Sequence, residues 1–293
     1  MREWKEWEIR QLKRNDFSDG LMRVRPEVKQ LYYRGEWKED LFKKAVAVVG
    51  SRRMTKYGQM ATKMMVQGLT EAGYTIVSGF MYGIDTMAHK TCLENKGKTV
   101  AVLGSGLDCL TPAENDNLYT KVLESGGVMV SEFEPKQEAK LWTFPYRNRI
   151  VSGLSQAILV VEAGENSGSL VTARWAFQQK KKVFAVPGMI TASLSKGTNW
   201  LIRNGAVLVT DANDILEELG GTRPLKEKRK GRILPVLSGE EKEVVELLKR
   251  EEMEADELAK KLNKSITQIN ILLSELCLKG LVEENNGRFM VGF

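Results

Sequence analysis

Val48-Val49-Gly50-Ser51-Arg52-Arg53 places a glycine, a hydroxyl and two guanidinium groups where an apolar run gives way to helix-compatible sequence. Backbone N–H groups at a helix mouth and the Ser51 hydroxyl can donate to a phosphate. Arg52 can take two of its oxygens in a fork that lysine cannot copy, and Arg53 adds charge. The plainer alternative is a turn carrying solvated arginines. A second stretch, Phe144-Pro145-Tyr146-Arg147-Asn148-Arg149-Ile150-Val151-Ser152-Gly153-Leu154-Ser155, sets two arginines and an amide beside aromatic rings. Cations for phosphates and rings for bases are what a single nucleic-acid strand requires. On a helix Arg147 and Arg149 point in different directions, so one can face phosphate while the other pairs internally, with Glu162 as a candidate partner. Spacing alone leaves open which does which.

Four further loops share the design of apolar run, glycine and helix start. Ser78-Gly79-Phe80-Met81-Tyr82-Gly83 opens a helix on which Asp85 and His89, four apart, share a face and can orient neighbouring loops. No nucleophile is fixed beside His89, so it reads as structural. Leu103-Gly104-Ser105-Gly106 would let backbone approach a ligand. Glu162 precedes Ser167-Gly168-Ser169, whose hydroxyls suit a phosphate or a helix cap equally. Val186-Pro187-Gly188 leads to Ser195-Lys196-Gly197-Thr198-Asn199, where Lys196 is either a point charge for phosphate or a solvated loop lysine.

Several chemistries are disfavoured. Gly-Ser-Arg-Arg is not Gly-x-Gly-x-x-Gly, and the second apolar run ends in Ser78-Gly79 where a nicotinamide ribose would need an acid. The triphosphate-gripping Gly-x-x-x-x-Gly-Lys-Ser/Thr does not occur. His89 is the only histidine and there is no Cys-x-x-Cys, so no metal is expected and no cofactor is called for. Cys92, Cys109 and Cys277, odd in number and widely spaced, read as reduced thiols of a cytoplasmic protein. The charged and aromatic opening of the chain, and the lack of a long apolar stretch, give neither a signal peptide nor a membrane span.

The elements that must position these residues follow from the pattern of apolar runs. Short β-branched runs at Ala45–Val49, Tyr74–Val77, Thr99–Leu103, Val128–Ser131, Ala157–Val161, Val183–Val186 and Ala206–Val209 alternate with amphipathic stretches. This predicts an α/β fold of extended Rossmann-like type, a doubly wound and mostly parallel sheet over residues 45–221. In such a sheet the loops leaving the strand C-termini gather at one edge, which is where a ligand should bind. Residues 1–44 are expected to be a helical lead-in, 222–238 a basic linker with two prolines, and 239–293 a small winged-helix domain. The net charge of +6 divides unevenly, as +5 over residues 1–221, +5 over 222–238 and −4 over 239–293. The second helix of the winged domain, Ser265–Lys279, carries one basic side chain and Glu275, so weak or no duplex binding is expected of it. A transcription factor is correspondingly disfavoured.

Taken in order, Gly-Ser-Arg, Ser-Gly-x-x-x-Gly-Ile-Asp-x-x-Ala-His, Val-Leu-Gly-x-Gly, Phe-Pro-x-Arg-Asn-Arg-Ile, Ser-Gly-Ser-Leu-x-Thr-Ala, Phe-Ala-Val-Pro-Gly and Ser-x-Gly-x-Asn resemble the DNA-processing protein A (DprA/Smf) family over about residues 22–220. The resemblance implies a positively charged pocket for single-stranded DNA, a homodimer, and loading of a RecA-type recombinase onto DNA during natural transformation, without catalysis. It carries phosphate binding onto Gly50, Ser51 and Arg52, onto Arg147 and Arg149, and onto Lys196; base stacking by Phe144 is expected from its place beside these arginines and not from the resemblance. Phe80-Met81 is bulkier than the family's usual small residues after Ser-Gly. The competing reading is an enzyme resembling the nucleoside-monophosphate phosphoribohydrolases. Those use Pro-Gly-Gly-x-Gly-Thr and a following glutamate, whereas this chain has Asn166-Ser167-Gly168-Ser169 and, downstream, Arg174.

Overall fold

The computed structural model describes residues 3–220, 238–279, 281–285 and 287–291. The chain divides into two units, Met1–Arg223 and Pro224–Phe293. The expected basic linker lies, apart from Ser238, outside the described residues.

In the first unit the strands are β1 (Arg10–Lys13), β2 (Gln30–Gly35), β3 (Ala45–Val49), β4 (Thr75–Ser78), β5 (Thr99–Val102), β6 (Val128–Ser131), β7 (Ala157–Val160), β8 (Lys182–Ala185) and β9 (Val207–Leu208). The helices are α1 (Asp19–Met22), α2 (Asp40–Lys43), α3 (Lys56–Glu71), α4 (Ile84–Glu94), α5 (Asp116–Glu124), α6 (Thr143–Gly153), α7 (Gly168–Gln178), α8 (Lys196–Arg203) and α9 (Ala212–Glu218). One nine-stranded sheet runs in the order β1-β2-β6-β5-β4-β3-β7-β8-β9, parallel from β6 through β9. Each apolar run read from the sequence supplies one parallel strand. Every residue of β3 to β7 is buried, because helices cover both faces and leave no side of these strands to water. On one face Val46 and Val48 pack with Met65 and Leu69 of α3, Ile84 of α4 and Ile215 of α9. On the other, Ala47 and Val49 pack with Ile150 of α6, Ala173 of α7 and Leu201 of α8.

Residues 1–44 depart from the expected helical lead-in. β1 and β2 pair with each other antiparallel, and β2 adds antiparallel to β6, Tyr33 opposite Val130. The reason is local: Leu31-Tyr32-Tyr33 is a β-favouring run, and β6 would otherwise present a row of unpaired backbone groups. Arg34 fixes the added strand. Only 3% exposed, its guanidinium donates to Trp7 O at 2.9 Å, to Leu107 O at 3.0 Å and to Asp108 at 2.7 Å. It also lies over the Trp4 ring, itself fully buried and stacked on Tyr119.

The second unit consists of α10 (Gly239–Leu248), β10 (Met253–Glu254), α11 (Ala255–Leu262), α12 (Ile266–Leu278), β11 (Val282–Asn285) and β12 (Arg288–Val291), with β12 central in a three-stranded sheet. This is a winged-helix arrangement, around a core that includes Val244, Leu258, Ile269 and Leu276. Ser238 with Glu241, and Ser265 with Gln268, form capping boxes that satisfy the first N–H groups of α10 and α12. The two-residue β10 was not anticipated, since Met253-Glu254 is too short to show alternation. The exposed face of α12 presents Thr267, Asn270, Ile271, Ser274 and Glu275 without a lysine or arginine, and Lys279 just beyond it pairs with Glu241.

Arg34→Met should strip the buried carbonyls and Asp108 of their donor and lower the stability of the first unit by about 3 kcal/mol. Urea unfolding followed by tryptophan fluorescence reads this unit alone, because all six tryptophans lie between Trp4 and Trp200.

Candidate nucleic-acid interface

The sheet reverses its winding at β3: the chain steps outward through β4, β5 and β6, then returns to place β7 on the other side of β3. Loops leaving β3 and β7 must therefore diverge over opposite faces, opening a crevice at their C-terminal ends. A crevice of about 560 Å³ lies there, a volume suited to a small organic group. Its walls bring together Gly50, Ser51, Arg52 and Arg53 after β3, Gly79 and Asp85 after β4, Phe144 and Arg147 of α6, and Ser167, Gly168 and Ser169 at the start of α7.

Glu162, just past β7, organises the first loop. Its carboxylate accepts from Thr55 N at 2.9 Å and Thr55 Oγ1 at 2.5 Å, while its carbonyl accepts from Ser51 N at 2.8 Å. Thr55 in turn caps α3 by accepting from Gly58 N. Glu162 thus ties the two diverging loops together and is not the arginine partner the sequence offered. Arg52 and Arg53 stand exposed at the rim, and the Arg52 guanidinium lies 5.1 Å from the centre of the half-buried Phe144 ring. Gly83, at φ +73, caps α4, and its α-carbon passes so close to the first loop that an added Cβ would fall 2.2 Å from Ser51 O. Ser167 accepts from Ser169 N, so these hydroxyls cap α7 while lining the wall.

The two arginines of α6 part company, being two residues and so roughly 200° apart around the helix. Arg147 reaches the crevice floor, where its Nη1 donates to Gly79 O and Val102 O and its Nε donates to Asn148 Oδ1 at 3.2 Å. Arg149 turns inward, fully buried; it grips Glu132 through two 2.7 Å bonds, donates to Pro26 O, and lies over the Tyr146 ring. The expectation of a phosphate contact at Arg149 is therefore corrected: its guanidinium is consumed by an internal ion pair. Burial still pushes the Glu132 carboxyl up despite that partner.

Lys196 pairs with Glu165 at 3.1 Å, both side chains half or more exposed, and does not line the crevice. Gly188 exchanges hydrogen bonds with the Asn199 side chain, which closes the loop after β8. Gly104 admits the Phe144 ring, and Gly106 passes against the Glu134 carbonyl, so both shape the loop after β5. Asn148, the amide of the Phe144–Ser155 stretch, lines the crevice, and so do Met81, Val151 and Leu194, which were missed. Val151 was findable, since it follows Arg147 at four residues on the same helix. Leu194 sits far along the chain in a loop, with no periodicity to place it.

Burial pushes Asp85 up to about 6, against the pull of Arg147, and lowers Arg147 to about 10. Ser78 Oγ donates to Val48 O at 2.6 Å, which ties β4 to β3 beneath the crevice. His89 lies behind it. Thr99 Oγ1 gives its proton to Ile76 O at 2.7 Å, so His89 Nδ1 must donate to Thr99 Oγ1, also at 2.7 Å. Its Nε2 is left buried with no partner among the described residues. The Phe80 ring, 5.4 Å away, fills the space beside it from a left-handed backbone at φ +62. The bulk at position 80 is thus core, packed with Leu103 and Tyr119, and does not intrude on the crevice.

The family described as DNA recombination-mediator protein A matches residues 8–220, and the DprA winged helix domain matches residues 228–288. The chain is 48% identical over 174 residues to protein Smf of Escherichia coli, across 59% of this chain and 46% of that one. It is 39% identical over 256 residues to a putative DNA processing protein DprA of Mycobacterium tuberculosis, across 86% of this chain and 66% of that one. It therefore spans roughly half to two thirds of these relatives' length. The X-ray structure of DNA processing protein A from Streptococcus pneumoniae superposes with a TM-score of 0.67 at 38% identity, over 74% of this chain and 75% of that one. DNA processing protein A from Helicobacter pylori, described with a single-stranded DNA binding mode, gives 0.65 at 27% identity, over 73% and 96%.

The buried pair Asp85 and His89 predicts a pH signature. Burial lowers His89 from 6.5 to about 3, so the unfolded chain takes up the proton first and stability falls as pH drops below about 6.5, on towards 3. Asp85, raised from 3.8 to about 6, works in the other direction: its contribution is full below about 3.8 and is lost as pH rises through 6. His89→Gln removes the first effect and leaves the second. Relative to wild type, the stability difference between pH 7 and pH 4 should shift by about 3 kcal/mol in favour of pH 4, read by urea unfolding at the two pH values.

Proposed function

This chain belongs to the DNA recombination-mediator protein A (DprA/Smf) family, and from that premise we propose that it binds and shields single-stranded DNA without regard to sequence. In this reading it hands the strand to a RecA-type recombinase during DNA uptake and natural transformation, working in the cytoplasm as a homodimer. The observation that carries the reading is the crevice beside β3, where exposed Arg52 and Arg53 stand at the mouth of a pocket partly walled by Phe144, Met81 and Val151. Cations at a rim and apolar walls behind it suit a phosphate backbone with its bases turned inward. The Helicobacter pylori relative binds single-stranded DNA, which supports the same use of this fold.

The role is one of holding and not of catalysis. Glu162 is committed to Thr55, and downstream of the loop after β7, where a phosphoribohydrolase would carry its acid, this chain has Arg174. The winged-helix unit, whose α12 shows no cation on its exposed face, is assigned to protein contacts or to regulating access to the DNA, and not to reading duplex.

Fluorescence anisotropy with labelled oligo-dT and a matched duplex, across a salt series, tests this. The wild type should prefer the single strand, with affinity falling as salt rises. Arg52→Ala should weaken single-strand binding about tenfold or more, the worth of a charge-assisted contact. Equal binding to duplex, or no effect of Arg52→Ala, would sink the proposal. Arg149→Lys should instead lower the melting temperature through the lost fork to Glu132, and leave the affinity of the folded protein unchanged.

A further inference from the structure

The edge of the sheet opposite the crevice holds a second cleft, of about 1,050 Å³, at the N-terminal ends of β3, β7 and β8. Two segments wall it. The one leading from β1 into α1 contributes Asp16, Phe17 and Asp19, and the one leading from β2 into α2 contributes Trp37, Glu39 and Phe42. The end of α6 and Lys181 complete the lining. Gly20 lets α1 close on that helix end, since an added Cβ would fall 2.4 Å from Gly153 O.

Each wall sets aromatic surface beside carboxylates. Phe17, Trp37 and Phe42 pack against the core and remain partly open, with the rings of Trp37 and Phe42 4.5 Å apart. The charges differ in what they have left to give. Lys181 donates to Ser152 O, Gly153 O and Ser155 O, spending all its protons on the last turn of α6, and burial lowers it to about 8. Lys43 pairs with Asp40 at 2.7 Å. Asp16 accepts from Lys13 N at 3.2 Å. The side chains of Asp19 and Glu39 are exposed and make no hydrogen bond or ion pair among the described residues. The end of α6 adds the negative pole of its dipole. The cations of the cleft are therefore engaged, while two of its carboxylates stand open beside aromatic faces.

Such a field excludes a nucleic-acid backbone. It suits a cation on an apolar stem, because ring faces attract ammonium and guanidinium groups and carboxylates pair with them. The volume stands at the top of the range for small-ligand pockets, beyond what one amine fills, and carboxylates on two walls call for more than one positive charge. We propose that this cleft docks a basic segment of a partner protein, one carrying at least two lysine or arginine side chains around apolar residues. The segment enters at the edge of the sheet away from Arg52 and Arg53, so it does not compete for the crevice.

The probe is the labelled peptide acetyl-Lys-Leu-Arg-Phe-Lys-amide, followed by fluorescence anisotropy with the full chain. It should bind about tenfold or more tightly than acetyl-Lys-Gly-Arg-Gly-Lys-amide, which keeps the charges and loses the apolar anchors. The double variant Asp19→Asn with Glu39→Gln should weaken peptide binding about fivefold or more, the worth of two exposed ion pairs, with melting temperature and affinity for oligo-dT unchanged. Spermidine, a trivalent amine without apolar branches, should displace the peptide only at far higher concentration. No binding of the peptide, equal affinity of the double variant and the wild type, or equal affinity for the two peptides overturns the proposal. Displacement by spermidine at the peptide's own concentration also overturns it, in favour of a site for small amines. None of these outcomes bears on the single-strand reading, which stands or falls with oligo-dT.

Discussion

The site depends on β3 having β4 on one side and β7 on the other. Hydrogen bonding holds the three strands in register along their length, yet the connections leaving β3 and β7 must depart over opposite faces of the sheet. The gap between them is a product of winding and not of loop sequence. What the sequence adds is control of that gap. Glu162 bridges it with carbonyl and carboxylate together, reaching Ser51 and Thr55 across from β7. This fixes the loop that carries Arg52 and Arg53 to the strand on the far wall, so the cations at the rim are positioned by the sheet itself.

Arginine serves three separate ends here, and burial distinguishes them. Arg52 and Arg53 remain in solvent, where charge acts at a distance and is screened by salt. Arg149 has been withdrawn into the core with Glu132, in a pair whose desolvation is offset by two short bonds, two carbonyls and a tyrosine ring. Arg147 is intermediate: buried, depressed in pKa, tied to two carbonyls, yet lining the crevice. Two residues of helix separate the last two roles.

Much of this could be read from sequence, because parallel strands buried on both faces appear as continuous apolar runs and each run ends in a glycine, serine or acidic turn. The seven parallel strands and the loop after β3 were legible for that reason. The helical lead-in was misread because β1 and β2 are short, antiparallel and only half buried, and what makes β2 a strand is β6, nearly a hundred residues away. The fate of Arg149 was illegible for a similar reason. Helical geometry shows that it diverges from Arg147, but Glu132 enters from the loop after β6, which no local pattern connects to α6. Asp85 was visible as a residue sharing a face with His89; that it stands on the floor of the crevice beside Arg147 follows only from the packing of α4 against α6's neighbours around β4.

The ends of the nine-stranded sheet bear on how copies of this protein can meet one another. At one end β1 shows Arg10, Gln11 and Lys13, and at the other β9 has only two residues. Charged or very short margins are poor templates for backbone-to-backbone growth. Contact between copies is left to side-chain surfaces, which separate far more readily than a continuous ladder of main-chain hydrogen bonds. A sheet sealed in this way keeps neighbouring copies from fusing edge to edge even at high local concentration.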